Sequence, residues 1–116
     1  MSLKDNLYVP LLADSSKTVI RLLSTSPIYA AHFPGYPITP GVLLVQLATE
    51  LLEEREGVAM DLSEVVNVKF SAPVFPSDGN SVSFCFSPDG PMRWKVTVDA
   101  DGVLCARMTL QYGPAI

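Results

Sequence analysis

At 116 residues, 48% apolar and only 17% charged, the chain has material for one modest hydrophobic core, too little length for two, and none of the makeup of a disordered segment. A net charge of −4, with eight Lys and Arg scattered and never in a run, gives no footprint for nucleic acid and no polybasic membrane patch. The opening MSLKDNLYVP lacks the apolar core of a signal peptide and no stretch reaches transmembrane length, so the expected setting is the cytoplasm, with no nucleic-acid or membrane partner. So small and apolar a chain is expected to bury surface in a homodimer. Cys85 and Cys105 have no paired spacing and His32 is the only histidine, which leaves too few ligands for zinc. The thiols read as free, and neither metal nor cofactor is expected.

In chain order, residues 7–13 and 17–24 (the latter KTVIRLLS) read as short strands around the turn DSSK. A loop at 25–38 follows, then one helix from about Pro40 to Glu56, which Gly57 stops. Four further strands are expected at 64–70, 81–87, 92–99 and 103–112, from rows such as Val66, Val68, Phe70 and Trp94, Val96, Val98. PSDGN, SPDGP and DADG supply turn chemistry between them. Strands joined this way are antiparallel, so the expected fold is α+β, one domain over 1–116 with about six antiparallel strands around a single helix. That helix is apolar from Val42 to Ala48 except for Gln46, which predicts burial on every side. Beyond Thr49, the charges Glu50, Glu53, Glu54, Arg55 and Glu56 make a wet face while Leu51 and Leu52 point inward.

The stretch HFPGYPITPGVLLVQLATELL, residues 32–52, concentrates the chemistry. Thr39 reads as a helix N-cap and Pro40 as the first helical residue, where a missing N–H costs nothing. Gly41 then leaves the first free amides, at the positive end of the helix dipole, open to a carbonyl oxygen or an oxyanion. On spacing alone this is no more than a well-made helix start. Pro34, Pro37 and Pro40 also spell PxxP, but no Lys or Arg lies within ten residues on either side. A rigid loop leading into a buried helix is therefore the better reading than a polyproline ligand. Taken singly, His32 reads equally as a satisfied core imidazole, and Gln46 more as a buried hydrogen-bonding amide than as a catalytic group.

Together, HFPGYPITPGVLLVQ resembles the signature of the 3-hydroxyacyl-(acyl carrier protein) dehydratases of fatty-acid synthesis: His-Phe-Pro-Gly, a Pro, then Pro-Gly-Val before the central helix. VVNVKFSAPVFPSDGNSVSF (65–84) and DGVLCARMTL (101–110) extend the resemblance over most of the chain from Ile28 onward, with a shorter N-terminal lead expected. The resemblance implies a hotdog fold, a curved antiparallel sheet wrapped around one long helix. It further implies a dimer with two active sites across the interface, an apolar acyl tunnel, and His and an acidic helix residue supplied by different protomers. Residue by residue, His32 matches the catalytic base, and Gly41 matches the helix-start amide that polarises the thioester carbonyl. Phe33 and Pro34 hold the loop that aims the imidazole. With Gly35, Pro40 and Val42 they are expected to line the substrate's approach. The acidic residue should fall at position 46, where this chain has Gln46. Ala31 and Tyr36 are lesser departures, at positions where the family usually has Gly and often Arg.

The activity implied is dehydration of a (3R)-hydroxyacyl thioester to the trans-2-enoyl thioester. A neutral imidazole, with an ordinary pKa of about 6.5, suits removal of the α-proton. Gln46 donates and accepts hydrogen bonds but gives up no proton. Three outcomes stay open: a dehydratase in which the imidazolium returns the proton, a hotdog thioesterase in which Gln46 positions water, and an acyl-thioester-binding subunit paired with an active partner. Glu50, one helical turn on, is a secondary candidate for the missing acid. The thioester is expected on acyl carrier protein or coenzyme A, and the assembly is a homodimer, a higher oligomer or a heterodimer. Acyl carrier proteins are acidic, as this chain is, so docking needs a local basic patch. Arg93 and Lys95, with Arg107 nearby, read equally as that patch and as a solvated sheet face.

Overall fold

Alternation lays down the strands, and their apolar positions decide which side of the sheet is covered. The computed structural model describes residues 3–32, 38–76 and 81–114, with the backbone alone for 30–32. The elements are β1 (Tyr8–Ala13), β2 (Lys17–Leu22), α1 (Pro27–His32), α2 (Gly41–Glu56), β3 (Met60–Phe70), β4 (Val82–Pro88), β5 (Arg93–Ala100) and β6 (Val103–Pro114). The strands form one six-stranded sheet in the order β1-β2-β4-β5-β6-β3, with every ladder antiparallel. The α+β hotdog architecture expected from the sequence is therefore present.

Turn chemistry explains the hairpins. Asp14 Oδ1 accepts the amides of Ser16 and Lys17, each at 2.9 Å, and closes β1 onto β2. Those two N–H groups hold the Asp14 carboxyl below the usual carboxylate range. Asp101 and Gly102 both have positive φ, 51° and 84°, the twist that joins β5 to β6 most tightly. The expectation that consecutive strands are neighbours fails at β3, which crosses to the far edge and pairs with β6. Alternation tells which face of a strand is inward but not which strand lies beside it. The PSDGN turn falls largely at 77–80, outside the described residues. β3 also starts earlier than expected, because register shifts at Leu62/Glu64 and Val65/Asn67 break the alternation that would have marked it.

The sheet's inner face packs on α2. Leu43, Leu44, Leu47, Ala48, Leu51 and Leu52 are buried with Ile20, Val82, Phe84, Val96, Val98, Met108 and Leu110. The helix's expected burial on every side is not met within the chain: Val42 is 77% exposed and Gln46 is exposed. One sheet covers a helix from one side only, so the opposite stripe stays open. The charged end of α2 is instead tied down. Gly57 (φ 71°) donates its amide to Glu53 O at 2.8 Å, a left-handed stop. Arg55 Nη1 donates to Asp14 O at 2.8 Å and Lys17 O at 3.2 Å, and its guanidinium lies 5.3 Å from the Phe86 ring centroid. Inside the expected loop at 25–38 lies α1, six residues long, too short for a helical period to register. Both cysteines are free thiols. Among the described residues no helix is long and apolar enough to cross a membrane.

Candidate active site at the start of the long helix

The start of α2 is left uncapped. Pro40 occupies the N-cap position in extended geometry (φ −67°, ψ 153°), with no side-chain cap, and Gly41 is the first helical residue. Thr39, expected as the cap, is one residue too early, and its hydroxyl is engaged elsewhere. Thr39 Oγ1 lies 2.9 Å from the Tyr29 hydroxyl, and the Thr39 amide donates to Val74 O at 2.8 Å. Thr39 is buried and so is Tyr29, whose phenol is pushed up by burial, with the bond to Thr39 opposing. This pair ties α1, which ends at His32, to the residue that leads into α2.

At the helix start, the amides of Leu43 and Leu44 turn back to Pro40 O, at 3.0 and 3.2 Å. Those of Gly41 and Val42 have no partner among the described residues. They are the unsatisfied donors that carry the positive end of the helix dipole. Beside them opens a cleft of about 410 Å³, lined by Ile38, Pro40, Gly41, Leu44, Phe70, Ala72 and Val74 among others. The Phe70 ring closes over Gly41: a Cβ there would lie 2.8 Å from Cε2, 3.0 Å from Cε1 and closer still to Cζ. A side chain at position 41 would displace the half-exposed Phe70 ring, so Gly41 is what lets the ring lie this close to the helix start. An apolar cleft ending at free amides suits an apolar substrate carrying a carbonyl oxygen.

The expected site residues divide. Pro40 and Gly41 line the cleft. Val42 and Gln46, four residues apart on one helical face, point away from it on the exposed side of α2. His32 ends α1, but its side chain lies outside the described residues, as do Phe33, Pro34 and Gly35. Glu50 is no stand-in for the missing acid. Its carboxylate accepts the Leu3 amide at 2.9 Å and the Lys4 amide at 3.2 Å, which commits it to the N-terminal segment. Phe70, Leu44 and Tyr29 were not expected at the site. Phe70 had a signal: it shares a strand face with Val68, and that face looks toward α2.

Comparison with known proteins adds identity to this geometry. The profile of the ApeI-like family, described as ApeI dehydratase, matches residues 13–108. The 3-hydroxyacyl-(acyl-carrier-protein) dehydratase FabZ of Geobacter metallireducens is 31% identical over 65% of the chain, and that of Geotalea uraniireducens 34% over 73%. The chain spans only 63% and 66% of the lengths of these two relatives. Among solved structures, the dehydratase heterocomplex ApeI:P of Xenorhabdus doucetiae superposes with a TM-score of 0.71 at 18% identity, covering 94% of this chain and 98% of that one. That likeness is one of fold, a hotdog. The family follows from the matched profile: the chain belongs to the ApeI-like dehydratases, relatives of the 3-hydroxyacyl-(acyl carrier protein) dehydratases of fatty-acid synthesis.

Proposed function

We propose that the chain, a single hotdog unit over residues 1–116, dehydrates a (3R)-hydroxyacyl thioester to the trans-2-enoyl thioester in the cytoplasm. The observation that carries this reading is the uncapped helix start at Gly41, opening on an apolar cleft in a member of a dehydratase family. The Gly41 amide holds the thioester oxygen as negative charge develops on it. His32, as neutral imidazole, takes the α-proton. The C–O bond at the β-carbon then breaks, and the departing hydroxide receives that proton back from the imidazolium, leaving as water. Gln46 orients the hydroxyl but supplies no proton. Loss of a dedicated acid slows such a step by about a hundredfold or more, so turnover is expected to be slow. Phe33 and Pro34 aim the imidazole, Gly35 and Pro40 flank the acyl group, and Val42, on the outward face of α2 with Gln46, meets the substrate only from across an interface. The thioester is carried by acyl carrier protein, with coenzyme A as the other carrier.

Gln46 reaches a site only across an interface. β3 is an edge strand on which Leu62, Val65, Val66 and Val68 are each 38–42% exposed, and Val42 lies bare on α2. Pairing β3 with β3 of a second copy covers these groups and removes the edge. The proposed assembly is therefore a homodimer, with no cofactor or metal. Gln46 also favours two other readings. In the first, its amide positions water on the thioester, making a thioesterase. In the second, the chain is one half of a heterodimer whose partner brings the carboxylate.

Mass spectrometry of a short 3-hydroxyacyl thioester on carrier protein, incubated with wild type, His32→Ala and Gln46→Glu, separates these. Loss of one water that depends on His32 supports the dehydratase. Release of free acid identifies a thioesterase. Inert wild type with an active Gln46→Glu variant identifies a binding half.

A further inference from the structure

The polar residues buried among the described ones, tyrosines and Cys105 aside, are Thr18, Ser26 and Thr39. Thr18 belongs to the Arg55 anchor, accepting from Nη1 at 3.2 Å. The other two stand on either side of His32 in the sequence, Ser26 just before α1 and Thr39 two residues before Gly41. Ser26 fixes the start of α1. Its Oγ accepts the Ile28 amide at 3.3 Å and its carbonyl the Tyr29 amide at 3.2 Å. Thr39 is fixed to the sheet. Its amide donates to Val74 O, and just upstream the Ser71 and Ala72 amides both reach Cys105 O on β6, at 2.7 and 3.3 Å. The bond between the Tyr29 and Thr39 hydroxyls joins these two fixed points, with Tyr29 3% and Thr39 4% exposed. Packing alone does not call for it, because an apolar pair of the same shape would fill the space at nearly the same stability. A hydroxyl pair adds direction, since it is satisfied only over a narrow range of separation and angle. Burial pushes the Tyr29 phenol up, so it keeps its proton through the neutral range.

We propose that Tyr29 and Thr39 are positioning residues, whose bond sets the spacing of the His32 base from the Gly41 amide. What that base and amide act on rests on the dehydratase reading. His32 lies three residues beyond Tyr29, at the end of α1, and Gly41 two residues beyond Thr39, at the start of α2. Removal of the α-proton and polarisation of the carbonyl act on adjacent carbons of one substrate. The base and the amide must therefore hold a fixed separation for both to act at once. They stand on different helices, so that separation is a tertiary quantity and needs a tertiary tie. A misplacement of about 1 Å in such a pair costs up to about a hundredfold in rate. Tyr29 is not on the wall of the cleft, and Thr39, which is, has its hydroxyl committed to Tyr29. The pair thus acts through His32 and Gly41 rather than on the substrate.

The test uses the untagged full chain as wild type, Tyr29→Phe, Thr39→Val and the double variant. Thr39→Ser keeps the hydroxyl, and Arg55→Met loses stability at the far end of α2. Water loss from a short 3-hydroxyacyl thioester on carrier protein gives kcat and KM. His32 is the only histidine, so histidine-labelled protein gives one imidazole signal by NMR, a readout that needs no turnover. The expected result is a kcat roughly tenfold lower for Tyr29→Phe and for Thr39→Val, with KM within about twofold of wild type. The double variant is no slower than either single one, since all three lack the same bond. Thr39→Ser and Arg55→Met stay within about twofold of wild type in kcat. The imidazole signal moves or broadens in Tyr29→Phe and Thr39→Val and holds in Thr39→Ser and Arg55→Met. A signal unmoved by Tyr29→Phe and Thr39→Val overturns the inference, whatever the rates. So does a fall in kcat that Arg55→Met shares, which makes the effect one of stability, or a rise in KM alone, which makes the pair a mere wall of the cleft. If wild type removes no water while the signal still moves, the dehydratase reading fails and the positioning of His32 by the pair stands.

Discussion

The two halves of α2 invert the usual relation between polarity and exposure. The first half carries hardly a polar side chain, yet its outward stripe, Val42 and Gln46, is uncovered. The second half is dense with charge, yet three of its five charges are tied down: Glu50 to the Leu3 and Lys4 amides, Glu53 to the Met60 amide, and Arg55 to the carbonyls at the β1–β2 turn. Thr49, at the boundary, bonds to the Tyr112 hydroxyl at 2.9 Å. The charged half thus anchors the helix to the fold of its own chain. The apolar half leaves Val42 and Gln46 uncovered, and it is the half that begins at the candidate site.

The sharpest way to break this comparison is a matched pair on the apolar half. Leu47 is fully buried and Val42 is 77% exposed. Leu47→Ala is expected to cost about 2–5 kcal/mol in denaturant unfolding. Val42→Lys is expected to keep the circular dichroism of the wild type while shifting sedimentation from dimer to monomer. A dimer that survives Val42→Lys would remove the reason for its exposure. Next in size, Arg55→Met deletes the bonds to the turn carbonyls and the contact with Phe86, a loss of about 1–3 kcal/mol measured the same way. A negligible loss would mean that the charged half is not an anchor. Tyr29→Phe removes only the bond to Thr39, at about 1 kcal/mol, but is expected to lower kcat with little change in KM, because that bond fixes the end of α1 against the start of α2. Smallest of all, Tyr8→Phe should be neutral or slightly stabilising, since the Tyr8 hydroxyl is buried with no hydrogen-bond partner among the described residues.

Tyr8 also sets a pH dependence. Burial, with the negative charges of Glu50, Glu54 and Asp5, raises its phenol well above the ordinary value, and burial raises those of Tyr29 and Tyr112. A group whose pKa is raised by folding contributes stability that is complete below its unfolded value, about 10, and lost as pH rises toward the folded value. Unfolding midpoints should therefore fall above about pH 10, and Tyr8→Phe should soften that fall.

Much of this architecture was legible in the sequence because it is local. Hairpins β4–β5 and β5–β6 follow from alternation and from SPDGP and DADG, and the end of α2 follows from Gly57. What was not legible depends on distant partners. Thr39 sits near enough to the helix start to look like a cap, and only the fold brings it to Tyr29. The edge position of β3 comes from its long-range pairing with β6, which no periodicity records. The exposure of Val42 and Gln46 reflects a sheet that covers one side of the helix, whereas composition promised burial. At the site, the motif from His32 to Gly41 gave the helix start and its missing side chain. The ring that lies over Gly41 comes from Phe70, whose approach is purely tertiary.

The most direct test of the central claim, a dehydratase whose acid position holds an amide, is the pH profile of kcat for water loss. Acid and base catalysts together give a bell, each limb marking one titrating group. With Gln46 unable to titrate, wild type should show a single limb that rises with pH and then levels, abolished in His32→Ala. Gln46→Glu should add the falling limb and a higher maximum. A bell in wild type, or no loss of water at any pH, would contradict the account.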